Sequence, residues 1–196
     1  MPRLSLGLYV LFVALAFGWR TWRQLRTTGS SGFVGLSGGS AIERAGGLLL
    51  VSALALGVAA PLLAISGRAE PQFAAWPTLG CSLYALGLAL TLWAQLTMGA
   101  SWRIGVDPRE RTTLVTTGPF QLARNPIFTG MLAVALGLAL LVPNAWAFAA
   151  VVVLGVGLEL HVRAIEEPYL IAQHGEAYLG WARHVGRFVP GVGRLR

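Results

Sequence analysis

Lysine is absent from this chain: all fifteen basic residues are arginine. That excludes Schiff-base chemistry and a lysine nucleophile. Charge of either sign is scarce, since Asp, Glu and Arg make up only 12% of the residues, where a soluble domain carries about 25%. The single cysteine, Cys81, lies inside an apolar run, so no intrachain disulfide framework and no Cys-rich metal site can form. It reads as a small buried hydrophobe. The three histidines, His161, His174 and His184, are 13 and 10 residues apart, without the i, i+4 pair of a helical zinc site. No metal is expected.

What is present instead is apolar surface, 55% of the chain. Apolar stretches run from Leu4 to Trp19, Gly46 to Ser66, Thr78 to Met98 and Ile127 to Leu158. As a single helix the last would measure about 48 Å, against a hydrocarbon core of about 30 Å, so it must fold back. Pro143-Asn144 at its centre is a strong turn signal and predicts a helical hairpin. The expected fold is therefore all-α: a polytopic integral membrane protein of about five transmembrane helices, spans four and five forming the tight hairpin.

The arginines test that count. With five spans, thirteen of the fifteen fall on one side, in the loops after spans one and three and in the tail, and only Arg3 and Arg68 fall on the other. The positive-inside rule then puts the N-terminus outside and the C-terminal region in the cytoplasm, as in a bacterial inner membrane. The net charge of +7 is thus accounted for by the lipid bilayer, and no nucleic-acid partner is expected. The first span also resembles a signal peptide, with Ala14-Leu15-Ala16 at a cleavage-like position. Arg20, Arg23 and Arg26 just beyond it would resist translocation, which favours a retained span. Gly29 to Ser40 is rich in Gly and Ser but lacks the GK[ST] ending of a phosphate loop and follows no strand pattern. It reads as a loop. Trp19, Trp22, Trp76, Trp102, Trp146 and Trp181 lie near the ends of apolar runs, as interfacial anchors do. Gly130, Gly137, Gly155 and Gly157 allow close helix contact.

The remaining polar residues collect in two stretches, Gly99 to Gly130 and Glu159 to Pro190, which the topology places on the same, cytoplasmic side. In the first, Thr117-Gly118-Pro119 and Asn125-Pro126 break regular helix and fix Arg124 and Asn125 at the mouth of span four, where free N–H groups favour an anion. The other reading is an arginine that snorkels to lipid phosphate. In the second, Glu159, Arg163, Glu166, Glu167 and Leu170 share a broad helical face, with Arg163 in reach of Glu159 and Glu167. A salt-bridge ladder accounts for that pattern. Glu159, however, begins within the apolar run, where an acid is costly and usually functional. A carboxylate face opposite an arginine suits a zwitterionic nucleotide-like cofactor such as S-adenosylmethionine, although composition does not select it.

The runs LTMGASWRIGV, TTGPFQLARNPIFTG and HVRAIEEPYLIAQHGEAYLGWARHVGRFVP resemble the isoprenylcysteine carboxyl methyltransferase family of integral membrane methyltransferases, related to the phospholipid methyltransferases. The matching motifs are Arg124-Asn125-Pro126-Ile127-Phe128-Thr129-Gly130, then Glu166-Glu167-Pro168-Tyr169-Leu170, then Tyr178, Trp181 and Arg187-Phe188-Val189-Pro190. They span Leu96 to Pro190, about half the chain. The resemblance implies methyl transfer from S-adenosylmethionine to a lipophilic small molecule or lipidated substrate that enters from the bilayer. The apolar runs give three N-terminal spans over residues 1–98, and the resemblance implies a methyltransferase core with a cytoplasmic cofactor-binding region over 99–196. It also implies a cofactor pocket at Gly118, Arg124, Asn125, Pro126, Phe128, Glu166, Glu167, Leu170 and Arg187. Candidate catalytic groups are Arg103, Arg187 or Arg124, to hold a carboxylate or thiolate acceptor, and His184 or Glu166, as base for an amine.

Three positions depart from the family pattern. Asn125 stands where many relatives have His and cannot titrate. Phe128 stands for Tyr and lacks the hydroxyl. His184 stands where Arg is expected, which alters the charge of the tail. The competing class is a non-enzymatic membrane protein, or a relative binding another cofactor, whose Arg and Glu groups only hold helices together.

Overall fold

The computed structural model describes residues 1–32, 40–103, 105 and 113–195. Arg109, Arg111 and Arg196, counted above among the cytoplasmic arginines, and residues 33–39 of the Gly/Ser stretch lie outside the described residues. The described residues form helices with no strand; the sole sheet-like feature among them is a parallel bridge between Ala123 and Gly186. The protein is an all-α integral membrane protein.

Four helices are long and apolar enough to cross a bilayer: α1 Pro2–Thr28, α2 Ala41–Ile65, α3 Pro77–Met98, and α5 Ala145–His174. Between the last two lies α4, Pro126–Leu141, apolar but only 16 residues long, or about 24 Å. A short α6, Glu176–Ala182, follows. The hairpin expected at Pro143-Asn144 is present. α4 ends at Leu141, and Asn144 caps α5 by accepting from the Ala147 N–H at 2.9 Å. The Asn144 side-chain amide also donates to the Ala60 carbonyl of α2 at 3.1 Å, so the same residue ends one helix pair and ties it to a third. Buried amides need such partners.

α1 departs from the expectation. It continues as helix to Thr28, so Arg20, Arg23 and Arg26 are helical rather than loop residues. Arg20 is buried: its guanidinium donates to Gln24 and to the carbonyl of Gly99, and lies 4.5 Å from the Trp102 ring centroid. Trp102 is accordingly a buried stacking partner and not an interfacial anchor, and Trp181 likewise turns inward; Trp19, Trp22, Trp76 and Trp146 remain exposed.

α3 and α4 pack antiparallel through glycines seven residues apart. A Cβ on Gly130 would come 2.3 Å from Thr91 Oγ1 and 2.6 Å from the Gly87 carbonyl, and one on Gly137 would come 2.6 Å from the Gly80 carbonyl. Small residues let the two backbones touch, as helix pairs in lipid require. Gly157 meets α2 in the same way, with Leu49 Cβ at 3.1 Å, whereas Gly155 has only Leu132 at 3.8 Å and does not demand glycine.

Two segments are wound as π-helix, Ala14–Trp19 in α1 and Val162–Glu166 in α5. The second directly precedes Pro168. In a regular α-helix that ring would clash with the carbonyl four residues back, at Ala164, and the wider turn relieves the clash. It also shifts the register of every residue beyond it, with consequences for the two glutamates.

Candidate active site

The break at Asn125-Pro126 starts α4, and α5 returns to the same end of the bundle. There the C-terminal tail folds back over both. Arg124 N–H donates to the Gly186 carbonyl at 2.8 Å, Asn125 N–H to the Arg187 carbonyl at 3.0 Å, and Thr129 Oγ1 to the Phe188 carbonyl at 2.7 Å. A Cβ at Gly186 would lie 2.0 Å from the Val189 carbonyl, so only glycine permits the turn that brings the tail in.

Beneath this strap sits a buried charge cluster. Glu167 Oε1 accepts from Arg124 at 2.6 Å and from Arg187 Nε at 2.9 Å, while Oε2 accepts from Arg187 Nη2 at 3.0 Å. Arg124 further donates to the carbonyls of Ala182, Val185 and Gly193 at 3.1, 2.6 and 3.0 Å, and Arg187 reaches Glu159 at 3.0 Å. Hydrogen bonding to Glu167 raises the Arg187 guanidinium above its ordinary pKa, so Arg187 stays charged. Arg163 pairs with Glu159 alone. The π turn has rotated Glu167 away from Arg163 and towards Arg124 and Arg187, which is why the ladder expected from i, i+4 spacing is only half formed.

Next to the cluster opens a cavity of about 250 Å³. Of the residues assigned above to the cofactor, Arg124, Asn125, Pro126, Phe128, Glu166, Glu167 and Leu170 line it, as does Arg103. Gly118, Arg187 and His184 lie outside it. Gly118, with a positive φ of 59°, opens the turn before Phe120 and faces Thr97. Arg187 is engaged by Glu167 and Glu159. His184 is exposed, with Nδ1 2.8 Å from the Gly180 carbonyl.

The two glutamates therefore do different things. Glu167 is buried and fully engaged by arginines, whereas Glu166 is partly exposed beside the cavity, with Oε1 3.2 Å from His161 Nε2. His161 is a site residue that the motifs did not single out. Five positions separate it from Glu166, too many to share a face in an α-helix, but the i to i+5 geometry of the π turn stacks them. The edge of its ring packs against Phe128, centroids 6.2 Å apart. The N-terminal helices also contribute walls that no motif marks: Phe17 from the π segment of α1, Leu50 and Leu54 from α2, and Gln95 from α3.

On the far wall Tyr178 and Trp181 pack edge to face, 5.7 Å between centroids. Burial first, and then the charge of Glu167, push the Tyr178 phenol up to about 12, so it stays neutral in use. The Trp181 indole N–H is buried with no partner. Chemically the cavity presents a partly exposed carboxylate, aromatic faces and a buried N–H donor.

No curated protein sequence matches the chain. The solved structure of a eukaryotic intramembrane Ras methyltransferase, isoprenylcysteine carboxyl methyltransferase, shares its fold. The likeness covers 95% of this chain and 62% of that protein, with a TM-score of 0.55 at 18% identity, so the chain spans less than two thirds of its length. The profile of the phospholipid methyltransferase family matches residues 76–177, from the start of α3 through α5 to the first residues of α6. The chain belongs to the phospholipid methyltransferase family.

Proposed function

We propose that this protein is an S-adenosylmethionine-dependent methyltransferase acting in the membrane on a lipophilic or amphipathic acceptor. The observation that carries this reading is Glu166: a partly exposed acid, paired with no arginine among the described residues, in a cavity walled by Phe128, Tyr178 and Trp181. The residues fit the cofactor, with Glu166 for ribose hydroxyls or the ammonium, the aromatic rings for adenine, and Trp181 Nε1 as a donor. When bound, S-adenosylmethionine supplies a methyl group made electrophilic by its sulfonium.

The chain's own residues then have three tasks. Glu166 and the aromatic walls orient the reactants, since in-line transfer depends chiefly on alignment and exclusion of water. Glu167, Arg124 and Arg187 hold the tail strap over the cavity and contact one another in place of a ligand. Apolar residues of α1, α2 and α4, among them Phe17, Leu54 and Met131, line the membrane side and suit the hydrocarbon part of an acceptor. The motifs place the chemistry in residues 99–196, and α1 to α3 complete the cavity. The described arginines concentrate at the cavity end of the bundle, which supports a cytoplasmic active site with the N-terminus outside.

The competing reading, in which the Arg and Glu groups serve only to join helices, accounts for Glu167 and its arginines but leaves Glu166 and the cavity without a role. Calorimetric titration of the purified protein in detergent with S-adenosylhomocysteine separates the two. Saturable binding and protection from thermal unfolding are expected, and neither would be seen if the groups are purely structural. Radiolabelled methyl transfer into a lipid extract then identifies the acceptor.

A further inference from the structure

Resting on that reading, we propose that His161 is the group that removes the acceptor's proton during methyl transfer, with Glu166 as the positioning residue that fixes its tautomer. The consequence is a substrate class: an acceptor whose nucleophilic nitrogen or sulfur carries a hydrogen, in preference to a carboxylate, which needs no base.

Three observations lead there. His161 lines the cavity while its side chain is only 8% exposed, so its surroundings hold little bulk water to take up a proton in its place. Its Nε2 lies 3.2 Å from Glu166 Oε1. A carboxylate in that place favours the Nε2–H tautomer and leaves the Nδ1 lone pair as the basic site, the arrangement by which a third group orients a general base. Finally, the ring packs edge to face against Phe128, and its backbone lies beside Gly46 of α2. The π turn that makes the pair costs helix regularity, and such turns are frequent at functional sites.

The step balances without any further reactant. The acceptor lone pair forms a bond to the methyl carbon, and the electron pair of the broken carbon–sulfur bond stays on sulfur, cancelling the sulfonium charge. His161 Nδ1 takes the proton that the acceptor sheds, and the resulting imidazolium is paired with the Glu166 carboxylate. Of the two arginines that line the cavity, Arg103 and Arg124, the second already has its charge answered by Glu167.

The ionisable groups on the elements packed around the imidazole are Glu159, Arg163, Glu166, Glu167 and Tyr169 on α5; Arg124 before α4; Arg187 and Tyr178 in the tail; Arg103 in the connector; and Glu43 and Arg44 at the start of α2. Any pH dependence assigned to His161 must therefore be read against a variant of His161 itself.

The test uses the full chain in detergent, with His174 and His184 replaced by Gln to isolate one imidazole. Nitrogen-15 NMR of the neutral ring is expected to show the proton on Nε2, and Glu166→Gln is expected to abolish that preference. His161→Gln is expected to keep S-adenosylhomocysteine affinity within about threefold. It is also expected to lose at least about 100-fold in methyl transfer to a lipid extract, the low end for a general base, together with the acidic limb of the pH–rate profile. A ring protonated on Nδ1, or a His161→Gln variant with the parent's rate and pH profile, would overturn this proposal and leave the methyltransferase reading intact. Failure of the parent to bind S-adenosylhomocysteine would overturn both.

Discussion

Arg124 Nη2 donates to Glu167 Oε1 across 2.6 Å, with side chains 1% and 8% exposed. The pair joins the first turn of the α4 mouth to the helix after the π turn, and the same guanidinium holds three tail carbonyls. A contact this buried is a joint between chain segments, at the wall of the cavity that both residues line.

Glu167→Ala leaves the buried Arg124 guanidinium without a carboxylate and Arg187 with Glu159 alone. Removing one member of a buried ion pair costs about 3–5 kcal/mol, so the variant is expected to unfold well below the parent temperature and to lose the tail strap to limited proteolysis. Glu167→Ala with parent-like melting and proteolytic resistance would contradict the joint.

Glu166→Gln is expected to separate binding from folding. The side chain meets the cavity and His161 but no arginine, so thermal stability without ligand stays within about 0.5 kcal/mol of the parent, as for ordinary surface changes. Affinity for S-adenosylhomocysteine falls by about tenfold, the equivalent of about 1.4 kcal/mol for one hydrogen bond to a charged group. Equal affinity by calorimetry would remove Glu166 from the binding site.

Gly130→Ala tests the close contact between α3 and α4. Its Cβ would collide with Thr91 Oγ1 and the Gly87 carbonyl, and overpacking of this kind costs about 1–3 kcal/mol. Gly155→Ala has no such collision and serves as the control. Thermal unfolding in detergent should rank the two in that order, and equal melting would mean that α3 and α4 do not touch there.

Tyr178 predicts an alkaline effect. Its phenol is pushed from 10.0 up to about 12 in the fold, by burial first and then by the Glu167 charge, so the folded state holds the proton more tightly than the unfolded chain does. This contribution to stability is constant below about pH 9 and declines as pH rises through 10 towards 12. Chemical denaturation across that window should show a steeper loss for the parent than for Tyr178→Phe. Parallel slopes would mean the phenol ionises as it does in the unfolded chain.

Much of this architecture is written in the chain's local chemistry. A run of 32 uncharged residues cannot lie straight across a bilayer, so the hairpin at Pro143-Asn144 follows from length alone. The motif residues Arg124, Asn125, Phe128, Glu166 and Glu167 also meet at one site as their order suggested. Residue order left open which of Glu166 and Glu167 is exposed to the cavity, and i, i+4 spacing predicted a Glu167 partner for Arg163 that the structure does not form. Both depend on winding: α-helical spacing puts Glu167 on Arg163, while one π turn before Pro168 turns it to Arg124 and Arg187 and brings Glu166 over His161.

The buried state of Arg20 and Trp102, and the cavity walls from Phe17, Leu50, Leu54 and Gln95, were hidden for a related reason. Nothing within a few residues of an apolar side chain distinguishes one that faces lipid from one that faces a cavity, because both surroundings reward the same residue types. The sequence by itself determined how many apolar helices there are, where they turn and which end gathers the charges, because these follow from hydropathy, turn chemistry and charge placement along the chain. Only the tertiary structure decided which acid became a joint and which was left facing the cavity, because that rests on helix register and on a tail that returns from sixty residues away to fill the hydrogen bonds of Arg124.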